Sequence, residues 1–235
     1  MYRARPSSYA TVAVSLVLLL VASAAFAAPV TPDKVRDKIV RIIKQKWTCN
    51  NLDVKVVPFS NDALTQAGRF QAIVFQADAI THEHITVAPI YIKAFDVTID
   101  IYTLFYKDKI RTTKRKNTIA EAKMSEADLN KLLQMKEMPI KNPRVAFGNN
   151  VLTFTGEYAA VFGHNLMMQA KLQIVDHRKI NLVPTKVKVN GIPLPAGPVR
   201  SLLSKVNPLL DMSEMPLDPT LDTISITPTH IVMKG

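Results

Sequence analysis

Two histidines in one strand-like segment, His82 and His84, are the residues of this sequence best placed to hold a metal ion. Successive side chains of a strand point to opposite faces, so residues two apart share a face and could both bind zinc. A structural zinc site needs four ligands, and a catalytic site usually has three protein ligands and water. The pattern indicates no third ligand. It therefore favours two surface histidines over a zinc centre, and we expect no metal or other cofactor.

Other side chains with nucleophilic or acid–base chemistry are isolated in the sequence. Cys49 is the sole cysteine, lacks a surrounding Cys/His signature and is predicted to be a small buried hydrophobic residue. Ser201 and Ser204 lie outside any G-x-S-x-G elbow and have no neighbouring base on their predicted helix. The acidic pairs are predicted to lie on the surface: Asp96 with Asp100, and Glu121 with Glu126. We therefore predict that the protein is not an enzyme.

Residues 1–27 have the composition of a secretory signal peptide. Arg3 and Arg5 precede an apolar run that ends at Ala24, and the small residues of a cleavage site follow. We predict cleavage after this segment, which leaves 28–235 as a single exported domain. The alternative is an uncleaved anchor, because the apolar run nearly reaches the ~20 residues that span a bilayer. Without disulfides, an exported domain has to be held together by its core.

Charge limits the partners of such a domain. Removing the two arginines of the predicted signal peptide from 30 basic residues leaves 28 against 19 acidic residues, a formal charge of +9. Anionic phospholipids, glycolipids and acidic wall polymers attract a basic exported protein, and salt weakens that attraction. Nucleic acid is a poor partner because the sequence has no RNP-like aromatic box, zinc-finger spacing or glycine-rich clamp.

Three amphipathic segments are predicted to be helices. The first runs from Pro32 to about Trp47, with lysines and arginines on its polar face. Such a helix can lie on a membrane, or it can be an ordinary core helix with a solvated face, and both can hold. A second helix is predicted to start at Ser125 and to end before Pro139, and a third spans Val199–Val206.

Most of the remaining chain is rich in β-branched and aromatic residues and is predicted to form strands. A basic segment, 107–116, is predicted to be a strand and turn with an exposed basic face. Many strands with three helices predict an α+β domain built on an antiparallel meander, although periodicity alone is equally consistent with a two-layer sandwich. The main predicted strands are 70–77, 85–105 with a break at Pro89, 145–147, 151–158, 166–175, 180–189 and 223–227.

The order of several short motifs resembles a known family over roughly 52–235. The motifs are AGRF at 67–70, SEADL at 125–129, NNVLTFTG at 149–156, VNGIPLP at 189–195, NPLLDMS at 207–213 and MPL at 215–217. In this order they resemble the LmeA-like phospholipid-binding family. The resemblance implies a bacterial protein with a tubular lipid-binding fold, in which a strongly curved antiparallel β-sheet wraps around helices and leaves an apolar groove.

The amphipathic faces supply candidate residues for such a site. The candidate groove residues are Ile39, Ile43, Trp47, Leu132, Leu133, Leu202 and Leu203, and each could instead be plain core. The candidate head-group residues are Lys38, Arg41, Arg111 and Arg200.

Together these observations predict a protein of the periplasm or the extracellular face of the cell envelope. It would bind phospholipid or a related amphiphile at the membrane surface and support envelope assembly or maintenance. Its lipid partner is expected to be an anionic phospholipid or glycolipid. The alternative is a basic binding module for an anionic cell-wall polymer, in which the apolar residues form only a core.

Overall fold

The computed structural model describes residues 29–82, 85–135, 137, 140–158 and 164–235. The predicted signal peptide, with its alternative as an anchor, and His84 therefore lie outside the described residues. Residues Thr31–Gly235 form one compact unit. Within the described part of the chain, no helix is both long enough and apolar enough to cross a membrane.

The helices predicted at 32–47, after Ser125 and at 199–206 are confirmed, with shifted ends. The first begins as its local signals require, because the Thr31 hydroxyl accepts the Lys34 N–H at 3.3 Å and Pro32 takes the first helical position. Two short helices are additional to the prediction. The helices are α1 (Pro32–Lys46), α2 (Asp62–Gln66), α3 (Ile101–Tyr106), α4 (Glu126–Met135) and α5 (Ala196–Val206), with a 3₁₀ turn at Met212–Glu214.

Antiparallel strands make up most of the rest, so the α+β class is confirmed. The strands are β1 (Thr48–Asn50), β2 (Asp53–Pro58), β3 (Arg69–Ala77), β4 (Ala79–His82), β5 (Ile85–Val87), β6 (Ile90–Ile99), β7 (Thr112–Lys114), β8 (Asn117–Ser125), β9 (Ile140–Phe147), β10 (Leu152–Tyr158), β11 (Asn165–Val175), β12 (Lys179–Val189), β13 (Ile192–Pro193), β14 (Leu210–Asp211), β15 (Thr223–Ile226) and β16 (His230–Lys234).

These strands form three sheets. A seven-stranded sheet has the order β15-β16-β8-β6-β3-β2, with β7 also paired to β6. A six-stranded sheet has the order β13-β12-β11-β10-β9, with β14 also paired to β12, and a small sheet has the order β1-β4-β5. The β10–β11 and β11–β12 hairpins place consecutive strands side by side, as the predicted meander requires.

The prediction of a strand over 85–105 is wrong at its end. The strand β6 stops at Ile99, and Asp100 starts α3 by accepting the backbone N–H of Thr103 at 2.9 Å. Tyrosine, phenylalanine and isoleucine in this stretch favour strands, but a capping carboxylate gives the backbone a helical alternative. Burial of Leu104 then fixes the short helix against the rest of the domain.

Each longer helix buries its apolar face against neighbouring elements. Helix α1 packs against β2 and α3, α4 packs against β9 and β5, and α5 packs against β12. Complete burial of one leucine or isoleucine side chain stabilises a fold by roughly 1.5–3 kcal/mol, so these faces hold the helices onto a core to which the strands also contribute. The polar face of α1 stays exposed, which places Arg41 and Lys46 in water beside the end of the helix.

Candidate functional site

A cavity of about 530 Å³ lies at the carboxyl end of α1. Its walls come from that helix end, from 109–112 and from the connector at 213–218, which we call the connector loop. A volume of this size falls within the ~300–1,000 Å³ typical of small-molecule sites. The lining residues are Ile42, Lys46, Trp47, His82, Lys109, Ile110, Thr112, Ser213, Met215, Pro216, Leu217 and Asp218.

The apolar wall of the cavity is centred on Trp47. The backbone N–H of Trp47 donates to the Ile43 carbonyl at 2.8 Å, which holds the Trp47 backbone at the end of the helix. Its ring lies 5.6 Å from the ring of His82, centroid to centroid, at 48°. Ile110 and Leu217 add aliphatic surface from the other two walls. A hydrocarbon chain would find contact partners on all three sides.

Two lysines make the cavity basic. The Lys46 ammonium lies 5.9 Å from the centroid of the Trp47 ring, and the Lys109 backbone N–H donates to the Thr103 carbonyl at 3.3 Å. In the described part of the chain, neither side-chain amine forms an ion pair. Both are exposed. The two cations are therefore available to an anionic group, such as a phosphate, at the cavity edge.

The connector loop is held in place by two arginines. The Arg115 guanidinium donates to the Leu217 carbonyl at 3.0 Å and also to the Asp218 carbonyl. Arg178 donates to the Asp218 carboxylate at 2.7 Å. Leu217 and Asp218 have φ values of 63° and 49°, a region that L-residues rarely adopt, so the surrounding contacts must stabilise it. Because the charge of Arg178 balances that of Asp218, the net charge of the side chains around the cavity stays positive.

A carboxylate just before the connector loop serves as a cap. The Asp211 carboxylate accepts the Ser213 backbone N–H at 3.0 Å, and this hydrogen bond is the main reason why the pKa of Asp211 is lowered. The cap starts the 3₁₀ turn at Met212, immediately before the lining residues. The lowered pKa of Asp211 is therefore explained by its role as a cap and does not indicate a catalytic acid.

The residues considered above for chemistry are engaged elsewhere or distant from one another. Asp96 is paired with Arg69 at 2.7 Å, which lowers the pKa of Asp96. Burial raises the pKa of the Cys49 thiol, so the thiol is a weaker nucleophile at neutral pH than a free cysteine. Among the described residues, no group of three His, Cys, Asp or Glu side chains could hold a metal ion.

The predicted groove residues fall into two groups. Trp47 lines the cavity and is half-buried, and Leu203 is half-buried on α5. The other candidates are buried within the packed faces of their helices. These buried residues are Ile39 and Ile43 on α1, Leu132 and Leu133 on α4, and Leu202 on α5.

The predicted head-group residues come from three separate segments of the chain, and Lys38 is half-buried. Lys38 forms an ion pair with Asp108, and the Arg111 guanidinium lies 3.9 Å from the Asp100 carboxylate. Arg41 and Arg200 are exposed on α1 and α5. The structure brings none of these four into the lining of the cavity, which instead contains Lys46 and Lys109.

The predicted candidates include two residues of this lining, Trp47 and His82, and two further sequence features lie in it. The basic segment 107–116 contains Lys109 and Ile110, and the MPL motif at 215–217 forms part of the connector loop. The sequence predicts an exposed basic face for 107–116, with Arg111 as a head-group residue, and uses MPL only as part of the family resemblance. Only folding shows that they meet the end of α1.

Comparison with known proteins adds one result. A family model described as LmeA-like phospholipid-binding matches residues 49–235. Neither the search of curated proteins nor the search of solved structures gave a match. The matched region contains the 109–112 wall and the connector loop, whereas α1 and Trp47 precede it.

Proposed function

This chain belongs to the LmeA-like phospholipid-binding family, and we propose that it is an exported, non-enzymatic bacterial protein that binds an anionic phospholipid or glycolipid and supports envelope assembly or maintenance. The observation that carries the proposal is the cavity, where an apolar wall around Trp47 meets the amines of Lys46 and Lys109. Phospholipids combine the same two chemistries, a hydrocarbon chain and a phosphate. The acyl chain would contact Trp47, Ile110 and Leu217, and the phosphate would contact the lysines.

The energetics favour reversible exchange. Moving a methylene from water to an apolar site is worth about 0.8 kcal/mol, but an acyl chain in a bilayer is already out of water. Transfer from the bilayer into the cavity is therefore nearly neutral for the chain. A lysine or arginine near an anionic surface contributes roughly 1 kcal/mol, so head-group contacts would decide selectivity. This balance suits a lipid carrier or sensor better than a storage protein.

The proposal extends to the shape of the fold, a strongly curved, tubular frame around the helices. Register shifts interrupt the pairing of β2 with β3, β9 with β10, and β11 with β12. Such irregularities bend strands and increase their twist, which is how a sheet acquires curvature. The register shifts therefore support curved β-sheets with α1 and α5 packed on their faces.

Export to the envelope is part of the proposal and has its own test. The signal-peptide composition of 1–27 and the basic charge of the remaining chain support it. Expressed with its full sequence in a bacterial host, the protein should be recovered with an amino terminus near Ala28. N-terminal sequencing that finds Met1 in a membrane fraction would contradict cleavage.

Lipid binding can be measured without a label because Trp47 is the only tryptophan. A short-chain phosphatidylglycerol with brominated acyl chains, used as a monomer, should quench the fluorescence of Trp47 in a saturable way. In the double variant Lys46→Gln, Lys109→Gln, the Kd should rise roughly tenfold or more, since each contact contributes ~1 kcal/mol. Lys44→Gln is the matched control, because Lys44 is exposed on the same helix and does not line the cavity.

Two outcomes would contradict lipid binding in the cavity. If the brominated lipid leaves Trp47 fluorescence unchanged, the cavity is not a lipid site. If soluble polyphosphate binds while the lipid does not, the protein is a basic module for an anionic polymer. That alternative draws on the exposed basic face of α1 and on 107–116.

A further inference from the structure

Two exposed aromatic rings stand next to each other on α3. Tyr102 and Tyr106 are 61% and 72% exposed, although tyrosine is on average a residue of intermediate burial. They are one helical turn apart and stack, with ring centroids 5.2 Å apart at an interplanar angle of 29°. The pair forms a small aromatic platform on the water-facing side of the helix.

Helix α3, which carries the two tyrosines, is held in place by its cap and by a buried side chain. The Asp100 carboxylate accepts the backbone N–H and the hydroxyl of Thr103, at 2.9 and 2.8 Å. Leu104, between the two tyrosines, is completely buried. The Lys107 backbone N–H donates to the Thr103 carbonyl at 3.1 Å and ends the helix. Because the helix is already formed and anchored, its two rings are exposed without any further folding when the protein meets a binding partner.

The chain that follows the platform is strongly basic. Residues 107–116 contain six lysines and arginines and one acid, Asp108. That acid is paired with Lys38, and the Lys107 ammonium lies 5.5 Å from the centroid of the Tyr102 ring. Arg115 donates to the connector loop, whereas Lys109, Arg111 and Lys114 are exposed, with the Arg111 guanidinium 3.9 Å from the Asp100 carboxylate. Positive charge therefore lies beside the aromatic pair, at Lys107, and continues along the chain that follows it.

The platform also adjoins the cavity. Lys109 lines the cavity and follows Tyr106 by three residues, so their Cα atoms are within roughly 11 Å of each other. Helix α3 packs against α1, whose end carries Trp47. The aromatic pair, the basic segment and the cavity thus occupy one region of the domain.

We propose that α3 and the basic segment 107–116 are the surface by which this protein docks on an anionic bilayer. Tyrosine has an apolar ring and a polar hydroxyl, which is why it concentrates at the boundary between head groups and acyl chains. Tyr102 and Tyr106 would enter that boundary, and Lys109, Arg111 and Lys114 would contact lipid phosphates. The proposal rests on the proposed function in one respect: docking brings the cavity next to the lipid that it would take up.

The test measures partition of the mature protein to vesicles of phosphatidylcholine and phosphatidylglycerol in equal parts. Tyr102→Ser with Tyr106→Ser should lower the partition coefficient roughly tenfold, since binding strength scales with the apolar area inserted. Ile192→Ser is the matched control, because Ile192 is 71% exposed on β13 and far along the chain from α3. The control should bind as the wild type does, and circular dichroism should show both variants folded.

A second measurement detects insertion directly. The variant Trp47→Phe, Tyr106→Trp carries its single tryptophan on the platform, and its emission should shift to shorter wavelength on anionic vesicles. Emission that stays at its value in water, or equal partition of the serine variant and the wild type, would overturn the proposal. So would a wild type that forms dimers in solution and a serine variant that does not, with equal vesicle binding, because the platform would then be a contact between copies.

Failure of docking and failure of lipid uptake give different results. The serine variant should retain saturable quenching of Trp47 by monomeric brominated phosphatidylglycerol. If the wild type partitions to vesicles through the tyrosines while monomeric lipid never quenches Trp47, docking stands and the proposed lipid site falls. If quenching occurs but the tyrosines do not affect partition, the lipid site stands and the docking proposal falls.

Discussion

The side-chain amide of Asn207 pairs with the peptide group of Leu182 as a neighbouring strand would. The Leu182 N–H donates to Asn207 Oδ1 at 2.8 Å, and Asn207 Nδ2 donates to the Leu182 carbonyl at 3.1 Å. Strand β14 pairs with β12 at Ile180, and β13 pairs with it at Lys188 and Val189. Asn207 thus covers part of the β12 edge between two very short strands, where the N–H and C=O of the buried Leu182 would otherwise have no partner.

Replacing Asn207 with alanine should destabilise the domain. Both polar groups of the Leu182 peptide would lose their partner, and leaving a buried backbone group unsatisfied costs about 1–3 kcal/mol. We expect a loss of that size in the free energy of unfolding in urea, with an unchanged dependence on denaturant. Asn149→Ala is the control because Asn149 lies exposed in the β9–β10 turn. Equal unfolding midpoints for the two variants would show that water replaces the amide without loss.

The pairing of Asn207 with Leu182 gives a structural role to a motif that, in the sequence, only supports the resemblance to the family. The order NPLLDMS at 207–213 supports the resemblance to the family, but nothing in its spacing reveals that the asparagine pairs with a strand 25 residues earlier. The start of α1 was predictable because its signals, Thr31 and Pro32, act within one helical turn. Local signals can be read from a sequence, whereas long-range pairing cannot.

The cavity was beyond sequence reasoning for the same reason. Lys46, Lys109 and Leu217 come from three distant segments, and no periodicity indicates that they meet. Trp47 was selected because it continues the apolar face of α1, and it does line the cavity. Ile39 and Leu202 were selected by the same helical spacing, which marks a buried face without indicating whether that face meets a cavity or other side chains.

Removing Arg115 should loosen the connector loop. In Arg115→Met the Leu217 and Asp218 carbonyls lose their donor, and these residues hold φ values that need support. We expect faster amide hydrogen exchange over 213–218 and a higher Kd for brominated phosphatidylglycerol. Lys171→Met is the control, because Lys171 is exposed on β11 and lies outside the cavity lining and the basic segment. Unchanged exchange in Arg115→Met would show that the loop holds its conformation without the arginine.

The cap of α3 should make a measurable contribution to acid sensitivity. Hydrogen bonds from the Thr103 backbone N–H and hydroxyl lower the pKa of Asp100 from its ordinary value of 3.8. Because the pKa is lower in the folded state, the charged cap stabilises the fold above about pH 3.8, and this contribution is lost as the pH falls through the folded pKa. Asp100→Asn keeps an acceptor for the Thr103 N–H but carries no charge.

We therefore expect the difference in unfolding free energy between the wild type and Asp100→Asn to be constant from about pH 7 to 5 and to shrink below about pH 4. Urea unfolding at a series of pH values measures it. Asp62→Asn serves as the comparison because Asp62 is an exposed residue in the first turn of α2. A difference for Asp100→Asn that is the same at pH 3 and pH 7 would contradict the assignment of the cap.

Tryptophan substitutions at two isoleucines should separate the cavity from the core. Ile110 is half-buried and lines the cavity, whereas Ile43 is 0% exposed on α1. In Ile110→Trp the larger ring has free volume to enter, so the protein should stay folded and the lipid-bound fraction seen by native mass spectrometry should fall. In Ile43→Trp the ring has to displace packed neighbours, and overpacking of this kind destabilises by about 1–3 kcal/mol. Thermal unfolding of both variants measures that contrast. If Ile43→Trp keeps the wild-type Tm and loses lipid instead, then an apolar groove continues beneath α1, and the lipid site extends from Trp47 into the region of Ile39 and Ile43.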